Sequence, residues 1–469
     1  MRAAAAAALT ALLSGCLFFR PPSREATLAE ALPEGTAVPG SYAAANDDGA
    51  VRDDWLVSFD DPGLRAVVEE AIAHNLDLRA AAASVTIARE TVTVVGAAML
   101  PRVGVQVGGS RLRDFGESET FNSNLEYVGV AWELDVWGRL LAQRQSAQAE
   151  YEATALDYAY ARQSLAATTA KSWYLATETR QLVALGERVV EIYRRIAKLV
   201  AERRAAGKVA DLDVAEVGAS LNSAEATLRA AQSQDAQARR NLELLLGRYP
   251  DAEIAVASTF AKLPAPAATG IPSSLLERRP DVIAAEQRVL AAFRTQESAR
   301  LALLPSFTFT LDGGRLSDGI LSLLKLNPWL LHGTLGMDLP IYEGGARLAQ
   351  IQIASAEQQQ AVAGYGNTVL SAFGEVEAGL TDDTLLADQL RFQQRALADR
   401  TESVRIANIQ YLAGRTDLLS VLQLQTDEIA TEQQVIALRN AQLANRIDLL
   451  LAVGASFDAA SAAAAPPAR

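Results

Sequence analysis

Residues 138–206 and 345–413, two stretches of about 69 residues each, contain no proline. At 1.5 Å of rise per residue, a helix through either would reach about 100 Å. No globular core needs helices of that length. In the first, Leu182, Leu185, Val189, Ile192, Ile196 and Leu199 recur at alternating spacings of three and four. In the second, Leu390, Leu397, Val404 and Tyr411 recur every seven residues. Both are the seam spacing of helices packed along their length. Each run ends in a glycine turn, at Gly207 and at Gly414, where a left-handed residue can close a helix. Asp211 and Asp417 follow as expected N-caps of the returning helices.

The long runs belong to an internal repeat. An offset of 204 aligns Ala80 with Ala284, Ala81 with Ala285, Val85 with Val289, Ala88 with Ala292, Thr91 with Thr295, Ala98 with Ala302, Leu100 with Leu304 and Pro101 with Pro305. Each half then reads as a helix, a Leu-Pro step, two strands, a glycine turn, a very long helix, a second glycine turn and another long helix. The first repeat is expected over 63–247, with strands near 101–113 and 125–136. The second is expected over 281–453, with strands near 305–312 and 330–341. A proline-rich, non-helical connector at 248–280 separates them. An extended segment at 16–62 precedes them, and a disordered Ala/Pro tail at 454–469 follows.

Proline ends the helix at each Leu-Pro step and pushes its predecessor toward extended geometry. Phe307, Phe309 and Leu311 then alternate with Ser306, Thr308 and Thr310. Leu331, Leu335, Met337, Leu339 and Ile341 alternate with His332, Thr334 and Asp338; Val128, Val130, Trp132, Leu134 and Val136 face away from Glu133 and Asp135; Val103, Val105 and Val107 complete the set. Runs of about 8 to 12 residues suit a tilted strand crossing a hydrocarbon layer. A half-buried soluble sheet has the same period. Four strands cannot close a barrel, so a membrane barrel would have to be shared between chains.

Composition narrows the chemistry. Lys plus Arg number 43 against 56 Asp plus Glu, a net charge of −13, which repels a phosphate backbone and argues against a nucleic-acid partner. Two histidines and one cysteine leave little for a zinc site, a nucleophilic dyad or a disulfide. No run places a nucleophile, base and orienting group at recognisable spacing, so no enzyme, metal or cofactor is expected. The N-terminus opens with Arg2 and an apolar run too short to span a bilayer, ending Leu13-Ser14-Gly15-Cys16. This reads as an export signal, with residues 1–15 expected to be removed. It resembles the lipobox of bacterial lipoproteins, which implies a covalent lipid on Cys16. Leu17, where Asp would favour inner-membrane retention in that family, points to outer-membrane delivery.

Two further pieces carry a specific resemblance. One is Leu275-Leu276-Glu277-Arg278-Arg279-Pro280-Asp281-Val282 leading into Ala284-Ala285-Glu286, with Ala299-Arg300 and Pro305 downstream. The other is Asp54-Trp55 with Phe59-Asp60-Asp61-Pro62, Leu64 and Asn75-Leu76-Asp77-Leu78. In this order they resemble the outer membrane factor family, the TolC-like efflux ducts, in the lipoprotein branch serving resistance-nodulation-division pumps. The resemblance covers nearly the whole mature chain. It implies a mainly α fold with a transmembrane β part: long coiled-coil helices forming an α-barrel, and four strands per chain contributing to a 12-strand trimeric β-barrel.

The resemblance also implies a homotrimer in the outer membrane extending into the periplasm. A periplasmic adaptor and an inner-membrane pump would be its partners, and drugs or other small molecules its cargo. The turns around Gly207 and Gly414, with Asp211 and Asp417, would form the periplasmic tip that meets the adaptor. Leu419 falls at an apolar ring position past the turn. Gln423 stands where relatives commonly carry Asp, while Asp213 and Glu216 offer acid in the neighbouring hairpin. Two other readings stay open on sequence: a protein-secretion duct of the same fold, and a lipid-anchored coiled-coil scaffold without a pore.

Overall fold

The computed structural model describes residues 20–44, 49–113, 120–317 and 330–458. Cys16 and the tail beyond 458 lie outside them, whereas 454–458, expected in the disordered tail, are described: Ala455, Ser456 and Phe457 are buried and the Ser456 N–H donates to Asp53 Oδ1 at 2.9 Å. The described elements are, in order, α1 (Arg24–Ala31), α2 (Trp55–Ser58), α3 (Pro62–His74), α4 (Leu76–Ala97), β1 (Arg102–Arg113), β2 (Thr120–Leu134), α5 (Arg139–Ala205), α6 (Asp211–Leu245), α7 (Pro272–Arg278), α8 (Pro280–Leu301), β3 (Ser306–Ser317), β4 (Leu330–Asp338), α9 (Ala346–Leu412) and α10 (Leu418–Ala452).

The repeat is written in element lengths. Helices α4 and α8 have 22 residues each, and strands β1 and β3 have 12 each; both pairs are related by the 204-residue offset. Helices α5 and α9 have 67 each and α6 and α10 have 35 each, related by an offset of 207. Three residues are therefore gained between the strands and the long helices of the second half.

Two compact units share these elements. One comprises Met1–Ala37, Ala83–Leu156 and Ala284–Thr368; the other comprises Val38–Ala82, Asp157–Ile283 and Val369–Arg469. The first unit holds the sheet, antiparallel throughout, in the order β1-β2-β3-β4. Val105 pairs with Val128, Trp132 with Phe309, and Phe309 with Leu335, so one face is apolar across all four strands. Its residues are open to the surroundings: Val105 is 74% exposed and Leu331 77%. The opposite face carries Gln106, Tyr127, Glu133, Thr310, Asp312, His332, Thr334 and Asp338. Among the described residues β1 and β4 each pair with one strand and have one free edge.

The segment expected to be extended at 16–62 contains α1, α2 and the first residue of α3. Ser23 caps α1, its Oγ accepting from the Ala26 N–H at 3.3 Å, and good helix formers follow. The helix then packs on α9 where Gly366 leaves room: a Cβ there would clash with the Ala31 carbonyl. Arg24 adds a two-pronged contact to Glu286 at 2.9 and 3.0 Å. The connector expected to be non-helical contains α7, which starts at Pro272, where a missing N–H is no loss. Strand β2 begins five residues before the expected 125 and ends at Leu134; β3 runs to Ser317 rather than 312, and β4 ends at Asp338 rather than 341.

In the second unit, charged side chains tie the connector to the long helices. Buried Glu243 accepts from the N–H groups of Ala252 and Ile254 at 2.7 and 2.9 Å. Arg239 and Arg180 donate to the carbonyls of Ile254 and Val256. Arg446, 2% exposed, donates to the carbonyls of Pro264 and Ala265 and pairs with Asp383 at 2.6 Å. Arg279, also buried, holds Asp281 at 2.7 Å, Glu375, and the Ala452 carbonyl at 3.2 Å. Each buried guanidinium thus has carboxylate and carbonyl partners, which a buried charge requires.

Candidate functional site: the two helical turns

Helix α5 ends with Arg203 and Arg204 in its last turn, where cations favour the carbonyl end of the helix dipole. Gly207 then adopts φ +69°. Its N–H donates to the Arg204 carbonyl at 2.8 Å, and the Lys208 N–H donates to the Arg203 carbonyl at 2.9 Å. Gly414 repeats this at φ +71°, with its N–H on the Tyr411 carbonyl at 3.0 Å and the Arg415 N–H on the Gln410 carbonyl at 2.8 Å. Both turns are the same left-handed closure, which a side chain would strain.

The returning helices start differently. Asp417 caps α10, its Oδ1 accepting from the Ser420 N–H at 2.6 Å, and that hydrogen bond holds its carboxyl below the usual range. Asp211, expected in the same role, is not the cap of α6. The 207-residue offset puts Ala210 opposite Asp417, and Ala210 is the N-cap. The Ala210 N–H donates instead to Asp213 Oδ2 at 3.0 Å, so Asp213 serves the helix start from inside the first turn. Asp211 pairs across the turn with Arg204, and this contact holds its carboxyl low.

The same offset places Leu212 opposite Leu419 and Glu216 opposite Gln423. Leu212 and Leu419 are 67% and 60% exposed in the chain. Leu212 stands five residues past Gly207 as Leu419 does past Gly414, an apolar counterpart that the sequence reading did not name. Gln423 donates to Asp427 Oδ1 at 3.3 Å, and Asp427 pairs with Arg400 at 3.0 Å; Glu216 is half-buried.

Below the turns one apolar core joins all four helices. It includes Leu185, Val189, Tyr193 and Val200 of α5, Val217 and Ala224 of α6, Ala407 and Tyr411 of α9, and Leu418, Val421 and Leu422 of α10. The Arg203 guanidinium lies 4.7 Å from the Tyr411 ring centre and donates to the Leu412 carbonyl at 3.4 Å, linking one hairpin to the other. Further along, Arg188 pairs with Glu432 at 2.6 Å, and Asn440 donates to Glu178 at 2.6 Å. Burial raises the Glu178 carboxyl above its ordinary range, against the pull of that amide.

Among the described residues no group of three His, Cys, Asp or Glu could hold a metal, and no helix is long and apolar enough to cross a membrane. Among the same residues the sheet presents a continuous exposed apolar face. A four-stranded antiparallel sheet with one apolar and one polar face, in a chain that also carries paired helices of this length, fits one chain of an outer-membrane channel.

The relatives agree. The outer membrane efflux protein family profile matches residues 67–248 and 271–455. The toluene efflux pump outer membrane protein TtgF of Pseudomonas putida is 28% identical over 464 residues, covering 96% of each chain. The cation efflux system protein CusC of Escherichia coli is 28% identical over 407 residues, 86% of this chain and 88% of that one. The Campylobacter jejuni CmeC outer membrane channel superposes with a TM-score of 0.84 at 21% identity, covering 90% of this chain and 94% of that one, a likeness of fold. The chain belongs to the outer membrane efflux protein family: it is an export duct of the outer membrane that extends into the periplasm. Members of that family are transport channels that work as trimers with adaptor and pump partners.

Proposed function

We propose that three copies of this chain form one passive duct of a tripartite efflux system, carrying small molecules from a periplasmic adaptor and an inner-membrane pump to the exterior. The carrying observation is the four-stranded sheet, apolar on one face and open at both edges. Unpaired backbone groups are costly in hydrocarbon, so β1 and β4 must pair with other copies. Three copies supply twelve strands. The cargoes for which relatives are named, toluene and cations, differ so widely that cargo choice is assigned to the pump rather than to this chain. No catalytic step is assigned to it, and no cofactor beyond a covalent lipid on Cys16, which anchors the mature N-terminus.

The turns at Gly207 and Gly414 form the adaptor-facing tip in this reading. Leu419 and Leu212, exposed apolar side chains one residue into their helices, narrow the aperture. Glu216 and Asp213 supply its acidic lining, with Gln423 neutral. The test is planar-bilayer conductance of the purified protein beside the Leu419→Ala variant. The reading expects single-channel steps that grow when Leu419 is shortened. Absence of any conductance in both proteins would favour the pore-less scaffold.

A further inference from the structure

We propose that His332 sets the ion preference of the barrel lumen according to pH. His332 lies on the polar face of β4, directly opposite Asp312 of β3. Asp312 in turn lies opposite Gly129 of β2. The missing side chain at Gly129 matters: a Cβ there would stand 2.6 Å from Asp312 Oδ1, so the carboxylate leans over bare backbone. The sheet therefore carries an acid and an imidazole at one level on the face that a closed barrel turns inward.

The surroundings of His332 are sparse in charge. Asp312 is the charged residue facing it from β3, with Thr310 and Gly314 as diagonal neighbours. On its own strand, Thr334 Oγ1 is 3.4 Å from Nε2 and Asp338 lies further along the same face. On β2 the polar face adds Tyr127, tied to Gln106, and Glu133, paired with Arg139 at 2.7 Å. Strand β1, which closes the barrel against β4 of the next copy, presents Arg102 and Gln106 inward.

Imidazole changes charge between about pH 5 and 8, where ordinary carboxylates and guanidiniums do not. The chain holds only one other histidine, His74 at the end of α3, outside the strands. Proton uptake by His332 sets one positive charge against each Asp312. In a trimer that ring then passes from three negative charges toward none. Charges at this range act on permeating ions through roughly a Debye length of electrolyte, so the expected change in cation preference is about threefold.

The inference rests on the duct reading, and one experiment separates them. Reversal potentials across a KCl gradient are recorded at about pH 8 and about pH 5.5. The proteins are wild type, His332→Gln, Asp312→Asn and His74→Gln, each alone and in the Leu419→Ala background, which keeps the tip from dominating the resistance. Wild type and His74→Gln should lose cation preference on acidification. His332→Gln should keep it at both values, and Asp312→Asn should show a weaker preference than wild type at the higher pH with little further change on acidification. Equal pH dependence in wild type and His332→Gln, in both backgrounds, would overturn the role of His332 while leaving the duct intact. Absence of conductance in every protein would overturn both.

Discussion

Single residues hold the ends of elements together here, and their substitutions should separate sharply. Gly366→Ala drives a methyl group against the Ala31 carbonyl and should cost about 1–3 kcal/mol. It should also expose residues 24–31 to protease. Gly364→Ala, two residues earlier and clear of any neighbour, should leave cleavage unchanged and favour the helix. Asp417 gives a pH test. Its carboxyl is held low in the fold, so its capping is present above the ordinary carboxylate range and is lost only as pH falls through the lowered value. The Ser420 amide should keep its hydrogen-exchange protection until that point, whereas in Asp417→Ala protection should be reduced at every pH. Unchanged protection in Asp417→Ala would remove the cap from the account.

At the scale of elements, the connector and the long helices depend on buried charge. Arg446→Met leaves Asp383 and two carbonyls without their donor, and should cost about 3 kcal/mol in chemical denaturation. It should also speed proteolysis within residues 257–269. Glu178 runs the other way. Its raised carboxyl penalises the fold once pH exceeds that raised value, and the penalty vanishes below the ordinary carboxylate range. Glu178→Gln should therefore raise the thermal midpoint at neutral pH and match wild type in acid. The long helices, the Leu-Pro steps and the alternating strands were legible because proline, glycine and side-chain period act locally. Helix α1 was not, because Pro21, Pro22 and Pro33 crowd a segment whose helix is fixed by Ser23 and by docking at Gly366, a contact more than 300 residues away. The cap at Ala210 was misassigned to Asp211 because composition favours an aspartate, while helix register, set by the distance from Gly207, chooses the alanine.

At the scale of the whole molecule, the face polarity of the sheet and its two free edges decide what the chain can be. Asp213→Asn with Glu216→Gln should lower the cation preference of the tip, measured by reversal potential. An unchanged value would remove those residues from the aperture. Leu212→Ala should enlarge conductance steps as Leu419→Ala does, since the two positions are one repeat apart. All of this presupposes a barrel shared between chains. The most direct test is the mass of the detergent-extracted, unheated protein by light scattering, corrected for bound detergent. The account predicts three chains per particle; a particle of one chain, stable across mild detergents, would leave β1 and β4 unpaired in the membrane and contradict it.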